Sequence, residues 1–360
     1  MSLWNVYVGG VTEDVWKYHP RPNPDTTIPA RGIERFLFDD SDGSLSHQET
    51  TEGDLFSPQH LVRHPTMPVL YAAEFARPGR LLAFAIHRDG HLERKSAVET
   101  NGALAISAAV HPNGTHAYVG HLGDGVITAS QLGSGGEIVA SEPIIEPNTN
   151  ANGPASKIHH VRIAPGAGAL IATDFGRDEI FAYPLSQSGN LSRDPITRVS
   201  FPEGSSPRQV ELHPSGKYAY AVGVGDCHLY VLEAENFVPH RIISRRPVAQ
   251  PGFRGKSSAA ETSLHPDGTR LFVGVRGADS ISTFGLDGSG GATWQHNVPS
   301  FGCSPRAIEL DPSGNFLFVG NWHSNRVVVF KGADMDKLLT SHDHIDVPSP
   351  SSFVFVPMSV

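Results

Sequence analysis

Cysteine is nearly missing from this chain. Its 360 residues hold only Cys227 and Cys303, far apart and with no CxxC pair. That removes a disulfide scaffold and a cysteine-based metal or redox motif, and it points to a reducing, cytoplasmic setting. Long apolar runs are missing too. Nothing approaches the roughly 18 residues of a membrane-spanning helix, and the opening "MSLWNVYVGG" reads as a strand rather than a leader segment. Positive charge is sparse. Lys and Arg total 28 against 37 Asp and Glu, a net −9, and no basic tract exceeds two residues. This balance argues against nucleic acid or an anionic membrane as a partner. There is no GxSxG elbow for a serine hydrolase and no HExxH for a zinc helix.

Glycine and proline are plentiful instead, at 37 and 28, and both are spread along the whole chain. That distribution suits many short strands joined by turns. The strands recur as a phrase. "SPRQVELHPSGKYAYAVG" at 206–223 is nearly rewritten as "SPRAIELDPSGNFLFVG" at 304–320, and looser copies lie around Pro65, Pro112, Pro165 and Pro266. With Pro214 and Pro312, these make six anchoring prolines spaced by 46 to 53 residues. Each copy is an alternating run, a Pro–Gly turn and a second alternating run, followed by a third strand such as "HLYVLEA" or "RVVVFKG" and a weaker fourth. Four strands per 40–50-residue unit is the pattern of a β-propeller.

The two ends complete the count. "WNVYVGG" with "IERFLFD" reads as a second and third strand lacking a first, and "SPSSFVFVP" reads as a first strand with nothing after it. Joined, they make a seventh blade and leave no open sheet edge. The expectation is an all-β, seven-bladed propeller over residues 1–360, its closing blade shared by about 1–45 and 345–360.

In a propeller the first strand of each blade lines the central channel, so its start and the end of the second strand meet at one face. Six residues before each anchoring proline stand Gln59, Ile106, His159, Arg208, Ala260 and Arg306. Ten after it stand Phe75, Leu122, Phe175, Val224, Arg276 and Trp322, and one position earlier Glu74, His121, Asp174, Gly223, Val275 and Asn321. These rings bring one histidine and three arginines to a common space, an arrangement that self-repels unless an anion fills it. His160, next along from His159, is expected to turn away toward the adjoining blade. His121, His159 and Asp174 could together hold a metal, but no local ligand motif supports that, and no metal or cofactor is expected. Three long connections, 11–32, 142–157 and 244–258, should emerge on the same face, offering Trp16, Tyr18, His19, Arg21, Phe253 and Arg254 as lid residues.

The repeat, its phase and the two SPR units resemble the bacterial 6-phosphogluconolactonase family of β-propeller lactonases. That family also includes the fungal 3-carboxy-cis,cis-muconate lactonising enzyme, a cyclase. The resemblance covers nearly the whole chain, from "NVYVGG" to "SSFVFVP". It implies that His159, Arg208 and Arg276 are catalytic, and Arg306 matches a recurrent arginine of the family. Gln59, Glu74, His121, Asp174 and Trp322 complete the expected substrate surroundings. The chain departs from the family at Val224, where a glutamate is usual. Glu74, Asp174, Asp226 and Glu261 are the candidates for a replacement carboxylate. The expected function is hydrolysis of a small anionic sugar-type or carboxylated lactone, with arginines holding the anion and His159, at an ordinary pKa near about 6.5, passing the proton. A lactonising cyclase and a non-catalytic binding propeller are the alternatives, and each histidine or arginine could instead serve as a structural bridge between blades.

Overall fold

The computed structural model of the protein describes residues 2–13, 27–145, 154–332 and 340–358. The strands form seven four-stranded antiparallel sheets, and among the described residues there is no α-helix. The channel is lined by the first strands, Pro58–Arg63, Ala105–Val110, Ile158–Ile163, Pro207–Leu212, Ser258–Leu264, Pro305–Leu310 and Pro350–Pro357. The last of these pairs with Leu3–Gly10, from Trp4 opposite Pro357 to Val8 opposite Phe353, and so closes the ring. The outer strands of the closing blade are Ile33–Asp39 and Leu45–Thr51, so this blade runs six residues past the expected limit of 45.

Second strands such as Val69–Glu74 and Ala169–Asp174 are buried at every residue. Each blade packs between two neighbours, so both faces of its middle strands become core. Outer strands are mostly open to water, as in Leu92–Glu99. Phenylalanines knit the closing blade to its neighbour, with Phe38 edge-on to Phe318 at a centroid separation of 5.0 Å.

The His-Pro turns are cross-blade ties. His64, His111 and His213 each bond a backbone carbonyl in the following blade, of Gly114, Ser186 and Gly268, at 3.2, 3.1 and 3.0 Å. Glycine allows the same closeness elsewhere. A Cβ on Gly274 would lie 2.8 Å from the carbonyl oxygen of Pro305, the residue before Arg306. Of the expected lid residues, Trp16, Tyr18, His19 and Arg21 lie outside the described residues, while Phe253 is half-buried and Arg254 exposed.

Candidate active site

A backbone irregularity builds the site. In each first strand the pairing with the second slips by one residue. It jumps from Pro58 to His60, Ala105 to Ser107, Ile158 to His160, Pro207 to Gln209, Ala259 to Thr262 and Pro305 to Ala307. The skipped residues include Gln59, Ile106, His159, Arg208 and Arg306. A β-bulge re-aims the side chain it releases from the ladder, and here these five blades each turn one residue into the channel mouth. Leu104, Ser206 and Ser304, two residues before three of them, hold positive φ angles of 60°, 52° and 61°. The wall facing this ring is pinned to the same turns by backbone bonds. Leu122 N–H donates to Leu104 O at 3.0 Å, Val224 to Ser206 at 3.1 Å and Trp322 to Ser304 at 3.0 Å.

The space enclosed is a cavity of about 590 Å³, within the range of small-molecule sites. His159, Arg208, Arg276, Arg306, Gln59 and Trp322 all line it. So do Phe75, Leu122, Phe175 and Val224 from the ends of the second strands, together with Arg77, Lys157 and His323, which the ring reading missed. Lys157 precedes its strand and Arg77 and His323 follow theirs, at positions the count from the proline does not sample. No Asp or Glu lines the cavity among the described residues.

Arg208 is the hub. Its Nη1 donates to His159 Nε2 at 3.1 Å, and its Nη2 donates to Glu261 Oε1 at 2.9 Å. A guanidinium only donates, so His159 Nε2 carries its lone pair and the proton of the neutral ring sits on Nδ1. Arg306 Nη2 donates to Gln59 Oε1 at 2.7 Å, and its guanidinium lies 4.8 Å from the Trp322 ring centre. Arg276 Nη2 donates to the Ala259 carbonyl at 3.3 Å. Among the described residues, the buried Nε atoms of Arg208, Arg276 and Arg306 have no hydrogen-bond partner.

Crowding of like charge shows in the proton affinities. Burial, then the Arg208 charge, pushes Arg306 down to about 9 and Arg276 to about 10. His159 falls well below the ordinary histidine range, first through burial and then through Arg208 and Arg306. This corrects the expectation of an ordinary histidine: at neutral pH the ring is uncharged, and burial beside the arginines lowers its affinity for a proton.

Three expected substrate contacts lie outside the cavity. The Glu74 carboxylate takes Arg80 Nε at 2.6 Å and the Phe56 N–H at 2.7 Å. His121 bonds Thr100 Oγ1 at 2.7 Å and the Val126 carbonyl at 3.0 Å. Asp174 accepts from Ser156 Oγ at 2.6 Å and from the N–H groups of Lys157, Gly176 and Arg177. Each stands one position before a cavity-wall residue. Strand alternation turns it into the blade, where it knots the loop that presents that wall. Asp226 is likewise engaged, by the Tyr230 hydroxyl. Of the four candidate carboxylates, only Glu261 touches the cluster.

Beneath the bulge ring a second chamber of about 150 Å³ continues down the channel, lined by His60, His160, Arg162, Gln209, Glu261 and Glu309 among others. His160 faces this chamber rather than the adjoining blade, because the bulge at His159 breaks the simple alternation. Arg162 forks onto Glu211 at 2.6 and 3.2 Å, and burial followed by Glu211 pushes the Glu309 carboxyl up to about 8. Among the described residues, no three His, Cys, Asp or Glu side chains are grouped as a metal would require.

A family model described as "Lactonase, 7-bladed beta-propeller" matches residues 5–355. The 6-phosphogluconolactonase of Formosa agariphila is 26% identical over 319 residues, covering 84% of this chain and 89% of that protein. The 6-phosphogluconolactonase of Bacillus subtilis is 24% identical over 351 residues, covering 91% and 95%. Among solved structures, the periplasmic gluconolactonase PpgL of Pseudomonas aeruginosa aligns with a TM-score of 0.86 at 24% identity, over 99% of this chain and 100% of that one.

Proposed function

The chain belongs to the seven-bladed β-propeller lactonase family, and we propose that it hydrolyses the ring ester of a small anionic lactone in the cavity at the channel mouth. The observation that carries this reading is the gathering of Arg208, Arg276 and Arg306 with the neutral His159 in a cavity that no carboxylate lines among the described residues. Arg276 and Arg306 hold the substrate anion through forked hydrogen bonds. Arg208 donates to the lactone carbonyl and stabilises the oxyanion that forms there.

His159 supplies the base. Its Nε2 is occupied by Arg208, so drawing Arg208 toward the substrate frees the lone pair as the substrate arrives. Water then attacks the carbonyl carbon while its proton passes to Nε2. The ring C–O bond breaks, and the same proton returns to the departing alkoxide, leaving a hydroxy acid. Two features favour hydrolysis over the cyclase reading: Val224 stands where the family glutamate is usual, and Glu261 lies beneath the ring rather than in the cavity wall.

We place the protein in the cytoplasm, on the support of free Cys227 and Cys303. No helix among the described residues is long and apolar enough to cross a membrane. A lactone panel followed by pH-stat, with His159→Ala as control, tests the assignment. Acid release by the parent that the variant lacks supports it, and a panel in which nothing is hydrolysed overturns it.

A further inference from the structure

The cavity has a hydrocarbon wall that the proposed chemistry does not use. Phe75, Leu104, Ile106, Leu122, Phe175 and Trp322 all face it, and most belong to one apolar cluster. The wall reaches the charged groups themselves. The Phe175 ring centre lies 5.8 Å from that of His159, and Trp322 lies beneath the Arg306 guanidinium. Hydrogen-bond acceptors are scarce in the same space. Among the described lining residues there is no Asp, Glu, Asn, Ser, Thr or Tyr, and Gln59 Oε1 already takes a bond from Arg306. His159 Nε2 is taken by Arg208, which leaves the buried Nε2 of His323, unpartnered among the described residues, as the one remaining ring nitrogen able to accept.

A sugar lactone carries several hydroxyl protons, and each one buried without an acceptor is penalised. Charge does not separate the candidates. Four arginines and Lys157 line the cavity, with one counter-charge at Glu261 against Arg208, and this excess of positive charge suits either a phosphate monoester or two carboxylates. The wall does separate them. Resting on the lactonase reading, we infer that the substrate is a carboxylated lactone whose body is hydrocarbon, aryl or alkyl, rather than the polyol of a phosphorylated sugar lactone.

Two measurements on the full chain test this. Calorimetric titration compares 2-benzylsuccinate with 6-phosphogluconate, and pH-stat compares 5-oxo-2-phenyltetrahydrofuran-3-carboxylate with 6-phosphogluconolactone. A hydrophobic pocket disfavours an added hydroxyl by up to about 10²-fold. Benzylsuccinate should therefore bind at least about tenfold more tightly, and the aryl lactone should have the higher kcat/KM. Leu122→Asn, which puts an acceptor into the wall, should narrow both ratios. Equal or tighter binding of 6-phosphogluconate, or preferred turnover of its lactone, overturns the inference and leaves the lactonase reading standing. Selective binding of benzylsuccinate with no lactone hydrolysed supports the hydrocarbon pocket and sinks the lactonase reading. Binding of neither anion overturns the inference.

Discussion

Arg208 aims one arm of its guanidinium at His159, Nη1 to Nε2 across 3.1 Å. The contact ties the proposed base to the proposed oxyanion donor, so the two should fail differently. His159→Ala removes proton transfer and should lower kcat by about 10²–10⁴-fold. Arg208→Ala should lower kcat and raise KM together, and Arg208→Lys should restore little, because an ammonium cannot reach His159 and the lactone with a planar fork. A His159→Ala protein that keeps full lactonase activity would move the proton to another group.

Acid should loosen the ring before neutral pH is far behind. Burial, followed by Arg162, holds His60 down to about 4, and His159 and His160 are also held low. Unfolded histidines protonate near about 6.5. Below that pH the unfolded chain binds protons that the folded one refuses, so stability falls from about 6.5 down toward 4. The melting temperature should therefore drop by a few degrees between pH 7.5 and 5.5. His60→Asn, which keeps an acceptor for the Ala108 N–H now bonded to His60 Nδ1 at 3.2 Å, should drop less. A flat profile for the parent chain would contradict the burial of these rings.

The propeller was legible because its repeat is long, phased by proline, and interrupted only at the two ends. The bulge ring was legible for the same reason: counting back from Pro165, Pro214 and Pro312 lands on His159, Arg208 and Arg306. What the count could not decide was which of two adjacent positions at the end of each second strand faces the cavity. Phe75, Leu122 and Phe175 do, while Glu74, His121 and Asp174 turn into the blade, although the polar residues looked the better ligands. Chemistry favoured one ring and strand geometry the other, and geometry prevailed. The Glu261 contact depends on where side chains of two blades end, which no spacing within one repeat encodes. The shift at His159 arises from burial and from arginines of other blades, so an isolated histidine in the sequence carries no sign of it.

Gly274 sets how closely two blades approach beside the site. An alanine there would bring its Cβ to 2.8 Å from Pro305 O and 3.1 Å from Ile308 Cδ1. Backbone must then move, at a cost of about 1–3 kcal/mol. Because Pro305 directly precedes Arg306, Gly274→Ala should weaken anion binding as well as lower the melting temperature. A variant that melts lower yet binds benzylsuccinate or 6-phosphogluconate as the parent does would show that Arg306 is not positioned by this contact.

Ring closure depends on the strand Pro350–Pro357, which pairs with Leu3–Gly10 and whose Phe353 and Phe355 join the closing core. Removing residues 351–360 exposes two edges and opens that core to water. The truncated chain should lose its single cooperative melt. A transition matching that of the full chain would refute closure as the source of stability.

Glu261 offers the sharpest test of how the cluster is held. Its carboxylate accepts from Arg208 Nη2 at 2.9 Å, on the side away from His159. A merely structural role would make Glu261→Gln lower stability and leave the catalytic pH dependence alone. A positioning role predicts more. Gln keeps an acceptor oxygen near Arg208 but removes the charge that compensates the guanidinium, so His159 faces a stronger positive field. A stronger field disfavours the imidazolium, so the acid limb of kcat/KM should move to still lower pH. Near neutrality the rate should fall roughly tenfold or less, because the fork is loosened rather than lost. Glu261→Asp keeps the charge at a longer reach and should return the limb toward its parental position. An acid limb that stays in place in Glu261→Gln, with stability reduced, would reduce Glu261 to a structural tie between blades.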